Sequence, residues 1–373
     1  MLKSSLRLGR IAGIEIRLDY SWFIVFVLIT WSLAAVSFPM AHPDWNTTTH
    51  WTLGLLTSLL FFVSVLAHEM AHSLVAQAKG VPVRSITLFI FGGAAQISQE
   101  PKEASNEFLM ALAGPATSIF LAIFFAILWF FSRTVNQPLA SLASWLARVN
   151  LLLAMFNLIP GFPLDGGRVL RAIIWGITRN LKQATQIASV IGRGIAFLFI
   201  FAGIWLILHG NWVNGLWIAF IGWFLENAAT ASYRQVALRD MLQGHTAGEV
   251  MTTDCPRVPR HLNIERLVYE YILFTGRRCF PVVDDGKVGG IITLHHVKKV
   301  PRQRWADTTI EEIMTPLEEM KKIRPDDDLS EVLEQMTAED VNQLLVVEGD
   351  QLLGLVARDN VLAFIRARAE LGI

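Results

Sequence analysis

Between residues 20 and 230 the chain alternates long apolar runs with short polar breaks. A membrane crossing of roughly 30 Å needs about 20 residues of helix. That length predicts spans at 20–38, 52–78, 106–132, 139–159, 191–208 and 212–230. The run 52–78 is broken only by "HEMAH", residues 68–72, while 139–159 carries Arg148 and leads into Pro160 and Gly161. The last two runs are joined by "HGNWVNG", a short turn flanked by tryptophans suited to a membrane interface. After residue 239 the pattern changes to short β-branched runs and charged helical segments.

Composition agrees with that division. The 373 residues are 53% hydrophobic and 17% charged, too apolar for an ordinary soluble chain. Nine acidic residues fall in the first 239 positions and 23 in the remaining 134. The expected domains are therefore a membrane region, 1–239, and two soluble segments, 245–300 and 305–370. Zero net charge gives no reason to expect nucleic acid as a partner. Cys255 and Cys279 lack paired spacing and read as free thiols in a reducing compartment. The N-terminus has spread-out basic residues and no cleavage site, so no cleavable signal peptide is expected. Lys3, Arg7, Arg10 and Arg17 precede the first span, Lys79, Arg84 and Lys102 follow the second, and Arg168, Arg171, Arg179, Lys182 and Arg193 follow the fourth. The opposite loops carry only Arg133. Basic residues favour the cytoplasmic side, which puts both termini and the soluble half in the cytoplasm of a multi-pass protein in the cell membrane.

On a helix, His68 and His72 share a face and can grip one metal ion, with Glu69 adjacent as a general base. Two imidazoles and a carboxylate at bilayer depth are expensive without such a role. Zinc needs a third protein ligand and an open position. "NLIPGFPLDGGRVLR", residues 157–171, offers Asp165 after a backbone that Pro160, Gly161 and Pro163 keep from being helical. The alternative is that Asp165 simply caps the next helix. "ALAGPATS", residues 111–118, reads as close helix packing around Gly114.

"HEMAH" in the second span together with "NLIPGFPLDGG" resembles the site-2 protease family of intramembrane zinc metalloproteases, over roughly residues 1–230. The resemblance implies that His68, His72 and Asp165 bind zinc, that Glu69 activates the attacking water, and that Asn157 stabilises the oxyanion. All these motif positions are present. "SITLFIFGGAAQIS", residues 85–98, is similar to the family's re-entrant β-loop. Gly92 and Gly93 would then bind an unwound substrate as an added strand. A hairpin with no substrate role is the other reading.

The soluble half repeats itself. "AGEVMTTDCPRV" recurs as "IEEIMTPLEEMK", and "CFPVVDDGKVGGIIT" as "QLLVVEGDQLLGLVA". This resembles a tandem pair of cystathionine-β-synthase (CBS) domains, which pack as a pseudo-dimer and often bind adenine nucleotides. The family's ribose-contacting pattern is Thr or Ser followed three residues later by Asp. Here Thr293 is followed by His296, and the second copy has Ala357 and Asn360, with Asp359 one place early. Thr293 and Asp359 are the remaining nucleotide candidates, against a structural or dimerising role for the pair.

The fold class expected is a polytopic α-helical membrane protein of about six spans with a C-terminal soluble α/β CBS pair. The expected function is zinc-dependent cleavage of a single-span membrane protein, an anti-sigma factor being one candidate substrate, with the CBS pair regulating or forming a homodimer. A CBS-gated transporter or channel is the alternative. It calls for further ionisable residues in the spans, and the sequence suggests only Glu226. A membrane-anchored metal sensor would not need Glu69.

Overall fold

The computed structural model describes residues 5–371 apart from 91, 98–100, 102, 243, 255, 285–286, 339–340 and 350. Lys3, Lys102 and Cys255 lie outside the described residues. The chain divides into two compact units, Met1–Val236 and Ala237–Ile373.

The first unit opens with strands rather than a span. β1 (Ser5–Ile11) and β2 (Ile14–Asp19) form an antiparallel hairpin. In β2 the alternating Ile14, Ile16 and Leu18 are buried, as period-two patterning requires. β3 (Val83–Phe89) pairs parallel to β2, and β4 (Gly92–Ile97) pairs antiparallel to β3. The order is β1-β2-β3-β4, so among the described residues β4 is a free edge.

The helices follow. α1 (Tyr20–Ser32) runs through a π-helical turn, Leu33–Ser37, into α2 (Phe38–Ala41). α3 (Thr47–Ala78) carries the HEMAH cluster, and its N-terminus is capped by Asn46, whose side chain accepts from Thr49 N at 2.7 Å. α4 (Ala104–Ser132), α5 (Gln137–Asn157), α6 (Asp165–Thr178), α7 (Leu181–Leu208) and α8 (Trp212–Leu242) as far as Val236 complete it. Asn136 and Asn180 cap α5 and α7 in the same manner.

Among the described residues, five segments are long and apolar enough to cross a membrane: 20–41, α3, α4, α5 and α7. These overlie the first five predicted spans. The sixth, 212–230, coincides with the front of α8, which is long enough but is not among the five. Asn214, Glu226 and Asn227 dilute its apolar run.

In the second unit the repeat becomes two similar α/β copies. One sheet has the order β5 (Val258–Pro259), β6 (Cys279–Asp284), β7 (Lys287–Thr293), β8 (Thr315–Pro316). The other has β9 (Lys322–Ile323), β10 (Gln343–Glu348) and β11 (Gln351–Ala357), with β10 in the middle. Both hairpins slip register at equivalent places, Val282/Val283 and Val346/Val347. The copies also exchange their leading segments. Thr315, from the start of the second copy, pairs with Ile291 of the first, and Thr252 pairs with Leu355 of the second. A Cβ on Gly290 would fall 2.6 Å from Thr315 O, and one on Gly354 would fall 2.7 Å from Thr252 O, so both crossings need glycine.

Candidate metal centre

His68 and His72 are buried on one face of α3. The broken segment after α5 carries the chain back to them. Gly161 and Gly192 touch so closely that a Cβ on Gly192 would lie 2.3 Å from Phe162 O, which seats the loop on α7. The first turn of α6 then packs against the same loop. A Cβ on Gly166 would meet Leu158 O at 2.3 Å, and one on Gly167 would meet the Gly161 carbonyl carbon at 2.3 Å. The two glycines of "DGG" are therefore what lets α6 begin at this place. Leu164 is the N-cap and Asp165 is already inside the helix, so capping is not its role.

Asp165 Oδ2 lies 3.1 Å from His68 Nε2 and 3.1 Å from His72 Nε2, and the two Nε2 atoms are 3.2 Å apart. These three form a group of buried or half-buried donors able to hold one ion. Tetrahedral zinc with bonds of about 2.0–2.1 Å separates neighbouring ligand atoms by roughly 3.3 Å, so the triangle fits. The far ring nitrogens are held as well. His72 Nδ1 donates to Met110 O at 2.6 Å, which leaves the Nε2 lone pair facing the other donors, and His68 Nδ1 contacts Ser118 Oγ at 2.9 Å.

Glu69 is half-buried beside this triangle. Gly93, on the edge strand β4, lies against it, and a Cβ there would come within 2.3 Å of Glu69 Cγ. Within the segment 85–98, of which residues 91 and 98 lie outside the described residues, β3 and β4 are antiparallel neighbours in the four-stranded sheet, and the edge strand β4 passes the Glu69 side chain. Gly92 begins that strand with φ 126°, a value that favours glycine. Asn157 is the half-buried last residue of α5, at the entrance to the loop.

Two features were missed from sequence. Gly114 is not a packing residue alone, because a Cβ on it would lie 2.1 Å from His72 Nε2 and 2.6 Å from His68 Nε2. Glu107, at the start of α4, is fully buried and bonded to Arg171 of α6. Both share a face of α4 with Met110 and Ser118, and the helical spacing 107, 110, 114, 118 was the available signal.

A family model for "Peptidase family M50" matches residues 56–137 and 132–201, and one for "CBS domain" matches 247–302 and 310–367. A protein of Mycobacterium tuberculosis named "Putative zinc metalloprotease Rip3" is 35% identical over 98% of this chain and 93% of its own length. "Zinc metalloprotease MJ0392" of Methanocaldococcus jannaschii is 31% identical over 96% of this chain and 95% of its own. The chain belongs to peptidase family M50. A solved site-2 protease of Methanocaldococcus jannaschii shares 28% identity over 61% of this chain and 95% of that one, with a TM-score of 0.41. The M50 and CBS matches, the metalloprotease relatives and the span-length apolar helices together make this M50 peptidase a polytopic membrane metalloprotease with a C-terminal CBS pair.

Within the CBS unit of the M50 peptidase, a cavity of about 820 Å³ lies between the two copies. Thr293, His296, Asp359 and Asn360 all line it, so the sequence candidates are brought to one cleft. Their side chains are engaged there. Thr293 Oγ accepts from His296 N at 3.4 Å, Asp359 faces Arg278 at 3.3 Å, and Asn360 donates to Thr252 Oγ1 at 2.7 Å. His296 Nε2 lies 3.2 Å from Thr315 Oγ1. Burial, with Lys299 and His295 nearby, holds His296 below the usual histidine range.

Proposed function

We propose that this chain is an intramembrane zinc endopeptidase that cuts within or beside the transmembrane helix of a single-span membrane protein. One observation supports this above the rest: a closed His68–His72–Asp165 triangle whose two histidines sit on a span-length apolar helix, with a free strand edge passing Glu69. His68, His72 and Asp165 would hold the ion. Bound there, zinc supplies Lewis-acid polarisation and makes water more acidic. Glu69 takes the proton of the attacking water and returns it to the leaving amine. Asn157 stabilises the oxyanion. A helical peptide bond is shielded by its own hydrogen bonding, and an unwound substrate adding to β4, over Gly92 and Gly93, regains those bonds as strand pairing.

The positive-inside distribution supports a cytoplasmic N-terminus and CBS unit in the cell membrane, and hence release of a cytoplasmic fragment. A single-span anti-sigma factor is one substrate of this kind. The CBS pair acts as a regulatory or dimerising module, with adenine nucleotide binding at Thr293 and Asp359. The transporter alternative called for further ionisable groups in the spans. Glu107 is such a group, but it is fully buried and paired with Arg171.

Glu69→Gln separates the readings. The variant should keep its zinc and lose cleavage of a single-span substrate in proteoliposomes. Retained cleavage would refute the protease mechanism.

A further inference from the structure

The ion pair between Glu107 and Arg171 takes no part in the chemistry above, yet it is the most deeply buried one in the membrane unit among the described residues. Glu107 is 0% exposed and Arg171 7%. Arg171 Nε donates to Glu107 Oε1 at 2.7 Å, and a second guanidinium nitrogen bonds the same oxygen. The other side of the guanidinium stacks over Phe162, with Cζ 5.1 Å from the ring centre. Arg168 adds a longer contact to Glu107 at 3.9 Å. Arg171 therefore joins α4, α6 and the loop that leads to Asp165.

α4 directly holds two of the three metal-binding side chains. Its Met110 carbonyl holds His72, its Ser118 hydroxyl holds His68, and its Gly114 leaves the space both imidazoles occupy. Only Asp165 has no direct tie to α4 among the described contacts, and the Glu107–Arg171 pair supplies that tie through α6. We infer that Glu107 and Arg171 are positioning residues that set Asp165 against the two histidines and so determine metal affinity. The inference rests on the proposed zinc site.

The geometry makes this demanding. Asp165 and Arg171 are six residues apart, about 9 Å along α6. A tilt of α6 by about 10° about Arg171 would move Asp165 by roughly 1.6 Å over that lever. Metal–ligand distances tolerate only about 0.2 Å. A neutral or flexible substitute that lets α6 tilt would therefore leave the histidines in place and detach the carboxylate.

The test uses the full-length protein in lipid nanodiscs, with Glu107→Gln, Arg171→Lys, Arg171→Met and the double variant Glu107→Gln/Arg171→Met. Zinc affinity is measured by chelator competition, and coordination by the visible absorption of the cobalt-substituted protein. Circular dichroism monitors helicity. Expected is a 10- to 100-fold loss of zinc affinity in Glu107→Gln and Arg171→Met, with an altered cobalt spectrum and unchanged helicity. Arg171→Lys should fall between these and the wild type. Zinc affinity within twofold of wild type in folded Glu107→Gln and Arg171→Met would overturn the inference. Where single variants fail to fold, the double variant decides, because it leaves no unpaired buried charge. Weakened zinc binding there supports the inference, whereas wild-type affinity, or failure of this variant to fold as well, assigns the pair to folding alone and overturns it. The outcome is independent of proteolysis: a positioning defect appears in metal affinity, while failure of the protease reading appears in Glu69→Gln.

Discussion

Gly114→Ala is the sharpest single-atom perturbation this site offers. In an exposed or loosely packed helix, glycine to alanine stabilises by about 0.5–1 kcal/mol, because alanine restricts the unfolded backbone. Here the new methyl carbon would lie 2.1 Å from His72 Nε2 and 2.6 Å from His68 Nε2, against an ordinary contact of at least 3.4 Å. The shortfalls are about 1.3 and 0.8 Å, several times the roughly 0.2 Å a metal site tolerates. Either the imidazoles turn away, breaking their bonds to Met110 O and Ser118 Oγ, or α4 shifts away from α3. A displacement near 1 Å at reacting groups lowers rates by about 100-fold, or about 2.7 kcal/mol. The assay is zinc content of the purified full-length protein together with cleavage of a single-span substrate. Gly194→Ala serves as control, since its added Cβ meets nothing within 4 Å. Zinc and cleavage should both be lost in Gly114→Ala and kept in the control. A Gly114→Ala protein holding one zinc at wild-type affinity, with wild-type cleavage, would refute the placement of α4 against the histidines.

Gly93→Ala should displace Glu69 and spare the metal, lowering kcat by on the order of 100-fold with zinc content unchanged, as loss of a general base requires. Loss of zinc in that variant would contradict it. Ser118→Ala removes the partner of His68 Nδ1 and should weaken zinc binding about 10-fold by chelator competition; an unchanged affinity would show that Ser118 does not orient the ring. His296 gives a pH dependence. Its value is held below the ordinary histidine range, so the folded CBS unit binds the proton less readily than the unfolded chain, and stability falls as pH drops through about 6.5. The urea midpoint of the CBS unit in the full-length protein should decline from pH 7.5 to 5.5, and less so in His296→Gln. An equal decline in both proteins would assign the effect to another group.

What was legible in the sequence depended on whether the signal was local. His68, Glu69 and His72 declare themselves by spacing on one helix, and Asp165 by the helix-breaking residues before it. The CBS repeat was visible because its two copies keep the same order of β-branched runs and glycines. The N-terminal hairpin was missed although Ile14, Ile16 and Leu18 alternate with Glu15 and Arg17, because its sheet is completed by β3 and β4 from beyond α3. Gly114 could be read only as small, since what a glycine makes room for lies on another helix. Glu107 sat inside a predicted span, but its partner Arg171 is 64 residues away on α6, and a count of loop charges treats that arginine as a topology marker. The sixth span was expected from its apolar residues, and its polar positions proved numerous enough to set α8 apart from the other five.

The exchange of leading segments between the CBS copies bears on how the soluble half can be divided. Thr252 is held by β11 and Thr315 by β7, so each copy's sheet or leading segment is completed by its neighbour. Cutting the chain between the copies would yield two fragments with unpaired backbone and no intact copy. Duplication here has made an indivisible unit.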